Sequence, residues 1–227
     1  MIKANGLHHL AIATGDIKRQ IEFFTDVLGT ELVALYWMHG LEGAWHGFVK
    51  LSDNASIAFV QTKGTPAIEP VFGVSHAGNP GADCAPGTMQ HLALNVDTET
   101  DLLTMRDRIR SRGIPVFGPI DHGFCQSIYF AGPENLALEI STSTAPIDPR
   151  AWIDPEVVEL AGISAEELAR FKAPAAFTGQ GGKQPQPAYD PDKPHLRHPE
   201  AKYRRMLATH DDEYSRARNY PDPPVKV

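Results

Sequence analysis

Met89-Gln90-His91-Leu92-Ala93-Leu94 repeats, late in the chain, the pattern that Leu7-His8-His9-Leu10-Ala11-Ile12 sets out at its start. Each is an apolar run of strand length carrying a lone His at the same place. The elements after each run also come in the same order. After the first, Asp16 is placed to cap a helix through Leu28, with Ile17, Ile21, Phe24 and Leu28 on one face and Gly29 as its stop. Strand-like runs come next at Thr30 to Tyr36, Trp45 to Leu51 and Ser56 to Gln61, with Asp53-Asn54 as a turn between the last two. After the second comes a helix with Leu102, Leu103, Met105 and Ile109 as its apolar residues, closed by Gly113. Strands are then expected at Ile114 to Phe117, Phe124 to Phe130 and Leu136 to Ser141, with Gly132-Pro133 at a turn. Shared element order is better evidence of a repeat than a few shared letters.

The expected architecture is therefore α+β. Two βαβββ modules, 6–63 and 87–144, are joined by the Gly/Pro/Ala-rich loop 64–86 and form a barrel-like mixed sheet within a domain 1–144. The remainder, 145–227, changes character. It has a helical stretch from Pro146 to Lys172, with Ser164 and Glu167 at capping-box spacing, then a Gly/Gln/Pro-rich segment, then a polar helix from Pro199 to Arg218. Too few apolar residues occur there for a separate core, so this helical and extended tail is expected to pack on the domain or on a partner subunit.

Bulk properties exclude several functions. A net charge of -7 with scattered basic residues lacks the basic stripe of a nucleic-acid footprint. No apolar run is long enough for a membrane span, and the N-terminus enters a strand without a signal-peptide core. Cys84 and Cys125 are too few for a disulfide scaffold. A cytoplasmic location, a small-molecule substrate and a homodimer or higher homo-oligomer are the expectations.

The chemistry starts from Asp121-His122-Gly123-Phe124-Cys125-Gln126-Ser127-Ile128-Tyr129-Phe130, followed by Asn135-Leu136-Ala137-Leu138-Glu139. A carboxylate at the inward position of an apolar strand is costly unless a cation or hydrogen bonds compensate it. If the repeats superimpose, His9 and His91 share a face of their sheets, and Glu139 faces inward when Leu138 and Ile140 face the helices. Two neutral imidazoles and one carboxylate then give a divalent ion a site with up to three free positions. Such a set suits Fe(II) chemistry in which a substrate and dioxygen bind together. A single His on an apolar strand is as readily a hydrogen-bonded core residue; it is the equivalent placement of the set that favours a metal.

With these residues the chain resembles the vicinal oxygen chelate superfamily, over Gly6 to Thr144. That superfamily includes glyoxalase I, fosfomycin resistance proteins, bleomycin-binding proteins and extradiol ring-cleaving dioxygenases. The resemblance implies paired βαβββ modules around a metal held at the positions of His9, His91 and Glu139. Within it the chain looks most like the extradiol dioxygenases, whose motif is matched by His122, Ile128-Tyr129, Pro133 and Glu139, with Gly132 and Asn135 departing from it. Asn tolerates the left-handed backbone a Gly would adopt, so the turn survives the change. The resemblance implies a catechol-type vicinal diol opened beside the diol by O2, with Fe(II) as cofactor and Mn, Zn, Ni or Co as alternatives. It implies an acid-base role for His76, fifteen residues before His91, and hydrogen bonds to bound oxygens from His122 and Tyr129. Glyoxalase-like members take a further ligand from the last strand of the first module. Here that position falls at or next to Phe59, which binds no metal and points away from glyoxalase chemistry. The alternatives are a metal-dependent lyase or isomerase and a non-catalytic small-molecule binding protein. His8 should point to the face opposite His9, His39 and His46 flank a turn, and Trp37, Trp45 and Phe48 are either a pocket wall or core.

Overall fold

The computed structural model describes residues 3–226. Contacts divide the chain into two units, one spanning Asn5–Ala165 and one gathering Glu166 onward with Lys3 and Ala4. The first unit holds two copies of one pattern. In the first copy β1 (His9–Ala13) leads into α1 (Ile17–Glu22), which continues as a π-turn over Phe23–Val27, and then into β2 (Glu31–Trp37), β3 (Trp45–Ser52) and β4 (Ala55–Gln61). In the second, β5 (Leu92–Asn95) and α2 (Glu99–Ser111) precede β6 (Phe117–Asp121), β7 (Gln126–Ala131) and β8 (Ala137–Thr142). Each copy is a four-stranded mixed sheet, ordered β1-β4-β3-β2 and β5-β8-β7-β6, in which the first strand runs parallel to the last. The fold is α+β as expected, but the sheets stay open. The paired βαβββ modules are those the repeat predicted, one four-stranded sheet each, and neither sheet closes into a barrel.

Local chemistry explains the helices. Asp16 accepts from Arg19 N–H at 3.0 Å and Thr98 from Asp101 N–H at 3.1 Å, each side chain satisfying a donor the helix start would otherwise leave unpaired. Gly29 and Gly113, at φ 79° and 77°, supply the left-handed backbone that ends each helical segment. Strand boundaries differ most from the sequence reading in the second module. The sixth strand is Phe117–Asp121, not Ile114 to Phe117, because Ile114 N–H still bonds back to Ile109 C=O at 3.4 Å and Val116 is buried. The seventh begins at Gln126, since His122 N–H bonds Cys125 C=O and makes 122–125 a turn. The fifth begins only after His91.

One apolar cluster joins the copies. Ile12, Phe24, Val49, Ile57 and Phe59 of the first pack in the same cluster as Leu92, Leu102, Ile109, Ile128, Leu138 and Ile140 of the second. Period-two alternation then turns His9, Ala11 and Ala13 to the other face of their sheet, where they are exposed. In β8 the same alternation separates Leu138 and Ile140 from Glu139.

The β7–β8 connection turns sharply at Pro133–Leu136, where Leu136 N–H bonds Pro133 C=O. Both central residues have positive φ, Glu134 at 55° and Asn135 at 61°. Asn135 thus takes the conformation expected of it. Glu134 is unusual there, because left-handed backbone costs a residue with a Cβ about 1–2 kcal/mol.

Beyond Thr142 come α3 (Pro149–Trp152), α4 (Pro155–Leu160), α5 (Ala165–Lys172), α6 (Glu200–Ala208) and α7 (Asp211–Arg216), none of which buries a residue. The single polar helix expected over Pro199 to Arg218 is two, because His210 leaves helical geometry and caps the second by accepting from Asp212 N–H. No helix among the described residues is long and apolar enough to cross a membrane.

Candidate metal centre

Strand register places the site. In the second sheet Glu139 stands between Tyr129 of β7 on one side and Ala93 of β5 on the other, so these three share the face away from Leu138 and Ile140. His91 precedes Ala93 by two residues and reaches the same carboxylate. Its Nε2 lies 3.0 Å from Glu139 Oε2.

The orientation of His91 is fixed from its other side. Its Nδ1 faces the side-chain oxygen of Gln90 at hydrogen-bond distance. The Gln90 amide nitrogen donates to Asn79 C=O and Ala82 C=O, both at 3.2 Å, which settles which end of that amide is oxygen. Nδ1 must therefore carry a proton. In the neutral ring Nε2 is then a lone pair facing a carboxylate, an arrangement that calls for a cation between them, either a second proton or a metal ion.

Glu139 is equipped to stay charged. It is 6% exposed. Burial pushes its carboxyl upward, yet Ser127 and Ser141, the His91 ring and the Tyr129 hydroxyl together outweigh that and hold it below the usual glutamate range. Ser141 Oγ donates to Glu139 Oε1 at 2.5 Å and is itself 2.9 Å from Ser127 Oγ. Cys125 Sγ lies 3.6 Å from Ser127 Oγ and ends this chain as a small packing residue. Neither Gln90 nor the serine pair was singled out from sequence. Ser141 had a readable signal, two residues from Glu139 on the same strand face; Gln90 had none.

His122 and Tyr129 also meet, Nε2 to hydroxyl at 2.8 Å. Burial first, then the Glu139 charge, moves the Tyr129 phenol above its ordinary value and keeps it a neutral O–H.

His9 lies on the other sheet. Its ring is edge-on to Phe48 at 5.5 Å and to His8 at 5.1 Å, with the two Nδ1 atoms 2.9 Å apart. The rings of His8 and His9 thus touch instead of pointing to opposite faces. Among the described residues no group of three His, Cys, Asp or Glu side chains is close enough to hold a metal ion. His76 lies in the 64–86 loop, with Nδ1 2.9 Å from Ser75 Oγ. It lines a cavity of about 220 Å³ shared with Ala11, Met89, Gln90 and Ala137.

The register also identifies the first-module counterpart of Glu139. His9 is followed by Ala11 opposite Ala58, as His91 is followed by Ala93 opposite Glu139. The counterpart is thus Ala58, next to Phe59, which faces the core instead with its ring 5.1 Å from Phe24. Tyr36, His46 and Phe48 form a ring cluster beside His9, in which Tyr36 and Phe48 stack at 6.4 Å and His46 and Phe48 tilt at 4.5 Å. Burial, then the neighbouring His9, lowers the His46 pKa. Trp37 and Trp45 pair with each other on the opposite face at the end of the sheet, so they are not part of that cluster.

Comparison with known proteins gives the family. The family model of the Glyoxalase/Bleomycin resistance protein/Dioxygenase superfamily matches residues 6–140, and the chain belongs to that family. It is 28% identical to Biphenyl-2,3-diol 1,2-dioxygenase 2 of Rhodococcus globerulus, over 64% of this chain and 68% of that one. It is 26% identical to a Probable lactoylglutathione lyase of Synechocystis sp., over 63% of this chain and 98% of the relative. Among solved structures, the glyoxylase/bleomycin resistance protein/dioxygenase domain from Frankia sp. EAN1pec matches with a TM-score of 0.51 at 16% identity, over 62% of this chain and 99% of that one.

Proposed function

We propose that the chain is a dioxygenase that opens an aromatic vicinal diol beside the diol, with Fe(II) held by His9, His91 and Glu139. The observation that carries this reading is the His91–Glu139 contact, in which Gln90 fixes the ring tautomer and leaves a lone pair and a buried carboxylate facing a shared cation position. That donor chemistry fits a divalent metal. His9 stands at the matching repeat position of the other sheet, does not close on the pair in this structure, and is proposed as the third donor that moves in with the ion. Bound Fe(II) would supply electron transfer between the diol and O2.

The chain's own residues would do the rest. Tyr129, held as a neutral phenol, donates a hydrogen bond to a substrate oxygen, and His122 at its hydroxyl orients it and exchanges protons with it. His76 on the cavity wall accepts a proton from a diol hydroxyl. Two protons leave the diol, a ring carbon–carbon bond breaks, and both atoms of O2 enter the product. The likeness to the Rhodococcus biphenyl-2,3-diol dioxygenase supports this substrate class.

A lyase or isomerase reading draws on the likeness to the Synechocystis protein. Ala58 counts against it, because the position that would give a ligand from the first module's last strand carries a methyl group. Anaerobic metal loading followed by oxygen uptake over catechols and biphenyl diols separates the two readings. Dioxygenase chemistry predicts uptake equal to the diol consumed. Metal-dependent turnover of a hemithioacetal without oxygen uptake would reject it.

A further inference from the structure

The second module grips the first module's helix from both ends. At the start, Glu134 Oε1 accepts from Gly15 N–H at 2.7 Å and its Oε2 accepts from Gln20 Nε2 at 2.8 Å. At the far end, Arg108 of α2 donates to Val27 C=O at 2.9 Å and Asp26 C=O at 2.8 Å, while Arg112 pairs with the Asp26 carboxylate at 2.9 Å. Gln20 is fully buried, so the Glu134 carboxylate satisfies an amide nitrogen that water does not reach, while the amide oxygen has no partner among the described residues.

Glu134 occupies a left-handed backbone position that Gly or Asn would take at lower cost. A strained residue whose side chain makes two bonds into another module points to a role for that side chain. Its place in the chain gives the role. Glu134 lies midway between Tyr129 and Glu139 on the hairpin that joins their strands, and Gly15 closely follows the strand of His9. Gly15 leaves room for the contact, because a Cβ there would stand 3.2 Å from Glu134 Oε1 and from Pro66 Cα.

We infer that Glu134 is a positioning residue: by tying the β7–β8 hairpin to the β1–α1 turn, it sets where His9 stands relative to the His91–Glu139 pair. The inference rests on the proposal that these three hold a metal. Two readouts test it without turnover. The first is the distance distribution between nitroxides at Asn54→Cys and Thr100→Cys, one per module, with Cys84 and Cys125 replaced by Ser. The second is the affinity and visible absorption of Co(II) bound to the full chain.

Glu134→Ala is expected to broaden the distances, weaken Co(II) binding by roughly tenfold and change its spectrum well below the melting temperature. Glu134→Gln, which keeps an acceptor for Gly15 N–H, should restore most of both. Unchanged distances in Glu134→Ala overturn the clasp. Broadened distances with unchanged Co(II) affinity and spectrum overturn the positioning role. Failure of the metal reading shows separately, as Co(II) binding that His91→Ala leaves intact; it removes the positioning role while the distances still decide the clasp. Should Glu134→Ala not fold, Gly15→Ala, whose Cβ would stand 3.2 Å from the same carboxylate and press on it, is read by the same distances and Co(II) spectrum.

Discussion

Glu139 draws its character from neighbours on its own sheet face. Ser141 and the serine behind it work against the burial that would otherwise protonate it. The folded pKa is depressed, so the stability Glu139 contributes is present above the unfolded glutamate range and is lost as pH falls through the folded value. Ser141→Ala removes one donor and raises that value. Acid unfolding of the metal-free variant, followed by circular dichroism, should therefore begin at higher pH than in the parent; coincident curves would show that Ser141 does not tune the carboxylate. Tyr129→Phe removes the hydroxyl but leaves the proposed metal donors in place. Turnover of a diol should fall by about a hundredfold while metal content stays that of the parent, measured by steady-state rates and metal analysis.

Strands and helices follow the sequence closely where one face is apolar and the other is not. The cap at Asp16, the stops at Gly29 and Gly113 and the alternation around Glu139 are all local, and the repeat order was legible from them; the equivalent cap at Thr98 went unread. Misplaced boundaries fall where tertiary contacts win. Ile114 and Val116 look like strand residues but extend the helix end and its burial, and 122–125 reads as strand although it closes a turn. Contacts that join elements had no sequence signal: Gln90 on His91, Glu134 on Gly15, and Arg108 on the helix end across 81 residues. The pairing of His122 with Tyr129 was not foreseen, because each was expected to bond a bound oxygen; the 122–125 turn, closed by His122 N–H on Cys125 C=O, sets His122 against the Tyr129 hydroxyl. The core is testable at this scale. Phe59 is fully buried against Phe24, so Phe59→Ala should cost about 3–5 kcal/mol in denaturant unfolding. A loss below about 1 kcal/mol would mean that the two rings do not share a packed core.

At the scale of the chain, every residue of the apolar cluster lies between Ile12 and Ile140, and α3–α7 bury none. Removing everything after Lys172 should leave one cooperative melt, shifted by no more than about 4 °C in calorimetry. Loss of the transition would show that the tail completes the fold. On the proposed reading, function at this scale depends on joining a donor from one module to a pair from the other. The most direct test compares the parent chain with His91→Ala after anaerobic loading with Fe(II), by metal analysis and then by oxygen uptake with a biphenyl diol. The predicted result is about one iron per parent chain and uptake matching diol consumption, with both lost in His91→Ala. Full iron occupancy in His91→Ala, or an iron-loaded parent that consumes no oxygen with any vicinal diol, would contradict the assignment.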